Sequence, residues 1–183
     1  KTIGYSFMSG CSSLTDIDLS YLNGVTSIDY NFLVNCSSLS NIDLSFMSEV
    51  TSVGSQFLMG CSSLVNLDLT PLAKVETIGV QFLSGCSGLT YLDCSPLVSI
   101  QSIGNRFLNY CNNLTKVNMG SITANIISDD VKMSSYYSFC CHYKTSIPCV
   151  TGLTLVGDDA DAIRTKFPER ALTESGWYRI WAS

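Results

Sequence analysis

The chain has 183 residues, of which 46% are hydrophobic and only 14% charged, and 15 acidic against 10 basic side chains leave a net charge of −5. That length suffices for one domain with a continuous core. No Lys/Arg cluster is present to hold a phosphate backbone, which argues against nucleic acid, and no run approaches the ~18 apolar residues of a membrane-spanning helix.

The first residues, Lys1-Thr2-Ile3-Gly4, correspond to Thr51-Ser52-Val53-Gly54 further on, so the chain opens inside a repeat. An array normally starts with an atypical cap. The expectation is therefore a piece of a longer protein with further repeats or domains upstream. The period is set by Cys11, Cys36, Cys61, Cys86 and Cys111, each 25 residues after the last, and by Phe7, Phe32, Phe57, Phe82 and Phe107 at the same interval. Apolar residues recur in step at Leu14/Leu39/Leu64/Leu89/Leu114, at Ile17/Ile42/Leu67/Leu92/Val117 and at Leu19/Leu44/Leu69/Cys94/Met119. A fixed period between about 20 and 50 residues marks a solenoid, in which no unit buries its apolar face without neighbours.

Within a unit, Leu-x-x-Leu/Ile-Asp-Leu predicts a short strand with the Leu and Ile side chains inward, stacking with its neighbours into a parallel sheet. A second apolar beat follows (Val25 and Ile28, Val50 and Val53, Val75 and Ile78), then Gly4, Gly54, Gly79 or Gly104, with Asp29 as the exception. Glycine there suits a turn with positive φ. The Phe-Leu-x-Gly-Cys segment is too short for a free-standing helix and predicts one helical turn on the outer side, its Phe and Cys pointing in.

Ile-Gly-x-x-Phe-Leu-x-Gly-Cys-Ser-Ser-Leu-Thr-x-Leu-Asp-Leu-Ser resembles the BspA-like class of leucine-rich repeats, found in surface proteins of bacteria and protists. The resemblance runs from about Ile3 to Ile126. The outer segment carries Phe-Leu where that class more often has Ala-Phe, and the unit is a little longer, as in a divergent branch. It implies an α/β leucine-rich-repeat solenoid, with a parallel β-sheet on one face and short helical turns on the other. It also implies a binding or adhesion module without catalytic residues.

The cysteine at one position per unit predicts a ladder at about the ~4.8 Å strand spacing with parallel Cβ vectors, which disfavours bridging. Those five, and Cys94 at an inward Leu position, are expected to be buried thiols acting as small hydrophobes. Cys140, Cys141 and Cys149 stand outside the array, where a bridge from Cys149 to either of the other two is open. With His142 they form the best zinc candidate, but the spacing matches no finger or ribbon pattern. No metal or other cofactor is expected, and His142, the sole histidine, is a poor start for a catalytic triad.

Asp18, Asp43, Asp68 and Asp93, ending in Asn118, lie between inward positions of successive strands and form a ladder of outward carboxylates. It reads either as a cation-binding stripe, in which close like charges raise one another's pKa, or as a structural row accepting hydrogen bonds from neighbouring hydroxyls and backbone N–H groups. Ser20, Ser45, Thr70 and Ser95 form the adjoining hydroxyl row. Specificity is expected from positions that vary between units: Asp16, Asn41, Asn66, Tyr91 and Lys116 on the strand, and Tyr21 and Phe46 just after it. Tyr21 and Phe46 are read either as interface aromatics or as a pair packed on each other between adjacent units.

Residues 1–127 thus comprise five 25-residue units, the first partial, and residues 128–183 an enlarged last repeat and carboxy-terminal cap. In it, Asn125 stands where Val is expected and Ser128-Asp129-Asp130 where Ile-Gly is due. The next Leu-x-Leu is Leu153-Thr154-Leu155, 39 residues after Leu114. Asp158 to Arg164 predicts a short helix with acids in its first turn, closed by Pro168. Trp177, Tyr178, Ile180 and Trp181 offer cover for the end of the core.

Asn35-Cys36-Ser37 and Asn113-Leu114-Thr115 are glycosylation sequons. The functional expectation is a non-catalytic module for protein or glycan binding, on a cell surface or secreted. The alternatives are a rigid spacer or assembly subunit within a larger complex, and a cytoplasmic scaffold with reduced cysteines.

Overall fold

The computed structural model describes residues 1–127, 142–143, 154–166 and 177–178. Its main sheet is built from the second apolar beat of each unit. β1 (Thr2–Ile3), β2 (Ser27–Ile28), β3 (Ser52–Val53), β4 (Thr77–Ile78) and β6 (Ser102–Ile103) are two-residue strands in sequential parallel pairing. Their register repeats without slippage, Ile3 beside Ile28, Ile28 beside Val53, Val53 beside Ile78 and Ile78 beside Ile103. The β-branched residue of each pair is buried. The Thr or Ser before it faces outward, where Thr2 and Ser27, and Ser52 and Thr77, hydrogen-bond hydroxyl to hydroxyl at 2.8 and 2.9 Å.

The Leu-x-x-Leu-Asp-Leu stretch, expected to supply the sheet, forms a ladder only toward the other end. There β5 (Tyr91–Asp93), β7 (Lys116–Asn118) and β9 (Thr154–Val156) pair in parallel. In earlier units the same stretch keeps its alternation of inward and outward residues without strand pairing. The Asp-Leu pair runs directly into a tight bend, and Ser45–Met47 and Thr70–Leu72 are 3-10 turns.

Phe7, Phe32, Phe57, Phe82 and Phe107 stack with ring centroids 5.4, 5.2, 5.4 and 5.6 Å apart and planes within 8° of parallel. Around this column Leu39, Leu64, Leu89 and Leu114 are fully buried. Offset stacking of this kind adds ~0.5–1.5 kcal/mol per pair beyond area burial.

The Phe-Leu-x-Gly-Cys segment is not a right-handed helical turn. It is a run of tight turns in which the residue before Phe and the Leu after it are both left-handed, as at Gln56 (φ 63°) and Leu58 (φ 54°), or Gln81 (62°) and Leu83 (56°). A non-glycine residue in that region costs on the order of 1–2 kcal/mol. The cost is offset between units: the N–H groups of Leu33, Leu58, Leu83 and Leu108 donate to the carbonyls of Phe7, Phe32, Phe57 and Phe82 at 2.9–3.1 Å, while each Leu side chain is buried.

The requirement for positive φ falls on the glycine before Cys, Gly10, Gly60 and Gly85 (77–79°), with Asn35 and Tyr110 in its place elsewhere. Gly54, Gly79 and Gly104 serve close approach instead. A Cβ there would sit 2.5–2.6 Å from the backbone of the preceding unit. Asp29 at the equivalent place accepts a hydrogen bond from the N–H of Tyr30 at 2.8 Å.

The sixth unit departs in register. Val117 pairs with Leu155, 38 residues on, not at the expected offset of 39, so buried Leu155 takes the inward position and Gly157 follows where Met119 stood. Ile127 bridges to Ile103 at 24 residues, filling the place that Ser128 would have occupied. The predicted helix is α1 (Ala160–Lys166), with Ala160 and Ile163 buried. Lys166 Nζ donates to the carbonyls of Ala124 and Ile127 at 2.9 and 2.6 Å, and the N–H of Ala124 donates to Asp159 Oδ2 at 2.6 Å, tying α1 to the last turn of the array. β8 (His142–Tyr143) and β10 (Trp177–Tyr178) pair antiparallel. Pro168, Ile180 and Trp181 lie outside the described residues.

Candidate functional site

Asp16, Asn41, Asn66, Tyr91 and Lys116 all face solvent in one row along the solenoid. Each is preceded by another outward residue and followed by an inward one, at Ile17, Ile42, Leu67, Leu92 and Val117, so the row varies in chemistry while its place in the unit repeats. Tyr91 and Lys116 are register partners in β5 and β7, with Lys116 Nζ 5.8 Å from the Tyr91 ring centroid, a cation–π contact. Val65, 51% exposed, lies beside Asn66 in this surface. Sequence reasoning passed over it because Thr or Ser holds its place in the other units.

Tyr21 is 68% exposed. Phe46 is 5% exposed, its ring 6.1 Å from Phe32 and tilted by 40°. The 3-10 turn at Ser45–Met47 swings Phe46 inward to widen the phenylalanine column. Phe46 is therefore no surface contact, and the two aromatics do not form the expected mutual pair.

The carboxylate row has a local role in the backbone. Oδ1 of Asp18, Asp43, Asp68 and Asp93 accepts from the N–H two residues on, in Ser20, Ser45, Thr70 and Ser95, at 2.8–3.0 Å. Asn118 does the same for Gly120 at 3.0 Å and donates to Asp93 at 2.9 Å. These Asx turns redirect the chain after each Asp-Leu pair. The hydroxyl and N–H of Ser20, Thr70 and Ser95 hold Asp18, Asp68 and Asp93 below the ordinary carboxylate value of 3.8. Asp93 further accepts from Asn118 and Tyr91. Asp18, Asp68 and Asp93 therefore act as separate turn acceptors in their charged form, rather than sharing protons through mutual repulsion.

A folded-state pKa below the unfolded one contributes stability that is fully present above the unfolded value and is lost as pH falls through the folded one. The urea midpoint should then be flat above about pH 5 and decline below about pH 4. Asp68→Asn, which keeps the turn acceptor and removes the proton site, should show a shallower acid limb in urea titrations at pH 2.5–6. An unchanged limb would remove Asp68 as a contributor.

Cys36, Cys61, Cys86, Cys94 and Cys111 are buried as expected, whereas Cys11, in the first unit with no described neighbour before it, is half-buried; all six are free thiols. The Sγ–H of Cys36, Cys61, Cys86 and Cys111 donates to the carbonyls of Met8, Leu33, Leu58 and Leu83 at 3.1–3.3 Å, each acceptor being the left-handed residue after Phe in the preceding unit. Burial pushes Cys61 up to about 12 and raises Cys36, Cys86 and Cys111 as well. Thiolate is the reactive form, so iodoacetamide at pH 8 should label half-buried Cys11 well before these four, as read by peptide mass. Full labelling should require denaturant.

Cys140, Cys141 and Cys149 lie outside the described residues, and His142 is described only as a strand position in β8. Among the described residues no group of three or more His, Cys, Asp or Glu side chains is placed to hold a metal ion. No described helix is long and apolar enough to cross a membrane. Of the sequon residues, Asn35 is exposed in a left-handed turn, and exposed Asn113 donates Nδ2 to the carbonyl of Ser87 at 2.8 Å.

A family model described as "BspA type Leucine rich repeat region" matches the chain in 6 copies, over residues 1–135 and 75–160. Comparison with curated proteins and with solved structures returns no match.

Proposed function

Because the chain belongs to the BspA-type leucine-rich-repeat family, we propose that it is a non-catalytic module that binds a protein partner on the face carrying Asp16, Asn41, Asn66, Tyr91 and Lys116. One observation carries this reading: these five positions are exposed and carry four different side chains across five units. The positions that repeat are otherwise engaged, Phe and Leu in the core, Cys in thiol–carbonyl bonds, Asp in turns and Gly in close contact between units. Exposed Tyr91, Val65 and Tyr21 supply the aromatic and apolar contacts that protein interfaces favour. A glycan ligand is the second member of the same reading.

We place the module on a cell surface or in secretion, supported by the family and by two exposed sequon asparagines. Residues 128–183 act as an enlarged last repeat and cap, supported by β9 joining the ladder and α1 closing over Ala124 and Ile127.

The test is site-specific photo-crosslinking. Asn66→p-benzoylphenylalanine should yield a defined adduct with a surface protein of the source cells, and Gln101→p-benzoylphenylalanine, exposed beside the five-stranded sheet, should not. Equal labelling at both positions, or at neither, would overturn the assignment of the face.

A further inference from the structure

The exposed row and the carboxylate row together give the face an electrical direction. Going along the array, the outward residues on either side of the second inward position of each Leu-x-x-Leu-Asp-Leu stretch are Asp16 and Asp18, then Asn41 and Asp43, Asn66 and Asp68, Tyr91 and Asp93, and Lys116 and Asn118. Two carboxylates at one end give way to one per unit, and the fifth unit has none and a lysine. The arrangement is sustained where these charges would otherwise be cancelled. Among the described residues the ion pairs are Lys74–Glu49 and Arg164–Asp161, neither of them on this row. The hydrogen bonds described above hold Asp18, Asp68 and Asp93 ionised, and Lys116 rests on the Tyr91 ring with its ammonium exposed.

The side chains between the two ends fit a main chain laid across them. Val65 and Tyr91 are exposed apolar contacts in adjacent units, flanked by the amide of Asn66. Four steps at the ~4.8 Å strand spacing span about 19 Å, the length of roughly six residues of extended peptide at ~3.4 Å each.

We propose that the occupant of this face is an extended peptide segment lying along the solenoid axis, with a basic end over Asp16, Asp18 and Asp43 and an acidic end at Lys116. The inference rests on the protein-binding reading and adds the partner's chemistry and direction. Charge complementarity sets the orientation, since turning the peptide around puts like charges together at both ends. Val65 and Tyr91 give the contact that does not depend on salt.

The experiment compares three labelled octapeptides of one composition by fluorescence anisotropy: Lys-Lys-Lys-Ser-Ser-Glu-Glu-Glu, its reverse, and an isomer in which Lys and Glu alternate. One block peptide should bind at least about five-fold more tightly than the alternating isomer. That preference should shrink as NaCl rises from about 50 to 500 mM, and Lys116→Glu, an exposed substitution whose fold is checked by circular dichroism, should abolish it. A preference below five-fold, no binding by any isomer at about 1 mM, or a preference retained in Lys116→Glu would overturn the proposal. So would tighter binding of a neutral cello-oligosaccharide than of either block peptide. A defined protein adduct at position 66 alongside isomers that bind alike would leave the protein-binding face standing and remove only the charge-directed peptide.

Discussion

Replacing Gly79 by alanine is expected to divide the solenoid into two unequally stable parts. The new methyl would meet the N and Cα of Ser55 at 2.5 and 2.7 Å and the carbonyl carbon of Gly54 at 2.6 Å. All three are backbone atoms, so no side chain can rotate away, and relief requires the two units to separate. Their contact is held by the N–H of Gly79 donating to the carbonyl of Val53 at 2.8 Å and by the Val53–Ile78 pairing, so the strain falls on the ladder itself. Overpacking of this kind costs about 3 kcal/mol. In a chain of this size that lowers Tm by roughly 6–12 °C. Because each unit touches only its neighbours, the larger consequence is lost cooperativity. Calorimetry should resolve an early transition for the units before Gly79 and a later one for those after it. Gly4→Ala is the control, since a Cβ there meets nothing within 4 Å. A single transition at the parent temperature in Gly79→Ala would show that the units tolerate the spacing.

The second expected result concerns the phenylalanine column. Phe57 is 1% exposed, with Phe32 and Phe82 at 5.2 and 5.4 Å on its two faces. Truncation to alanine removes the buried ring, leaves a cavity between units and breaks two stacked pairs, for a loss of about 4 kcal/mol. Phe57→Leu keeps much of the volume and should lose about half as much. Phe7→Ala should lose least, since Phe7 is half-buried and stacks on Phe32 alone in the described column. Denaturant midpoints of the three variants rank these effects, and a Phe7→Ala loss equal to that of Phe57→Ala would contradict nearest-neighbour packing.

The period, the inward Phe, Leu and Cys, and the unbridged thiols were legible in the amino-acid order, because the same residue type faces the core in every unit, with burial complete from the second unit on for the Phe, Cys and first Leu of the unit. The placement of the main sheet was not. A Thr/Ser-Ile/Val pair is too short to show an alternation of its own, whereas Leu-x-x-Leu-Asp-Leu shows one clearly and yet forms a ladder only from Tyr91 onward. Glycine concealed two requirements behind one residue type, since Gly79 is needed for close approach and Gly85 for its positive φ. Leu58 and Leu83 carry no sign of the left-handed backbone they adopt, because that state is held by hydrogen bonds to another unit. In the candidate site, the exposed Asp16, Asn41, Asn66, Tyr91 and Lys116 followed from the recurring order of inward and outward residues in the unit. Phe46 did not, because the turn that draws it inward begins beside it.

The sheet also decides how the molecule would respond to a load. Each unit contributes a two-residue strand lying across the long axis, and successive units are joined side by side along that axis. Tension applied between the two ends of the array would open those joints one at a time, as in a zipper, rather than shear them together. Each opened joint frees about 25 residues, or roughly 80–90 Å of chain. The solenoid would thus yield in even increments at low force, and an optical-tweezer trace would show a staircase whose step length is the repeat.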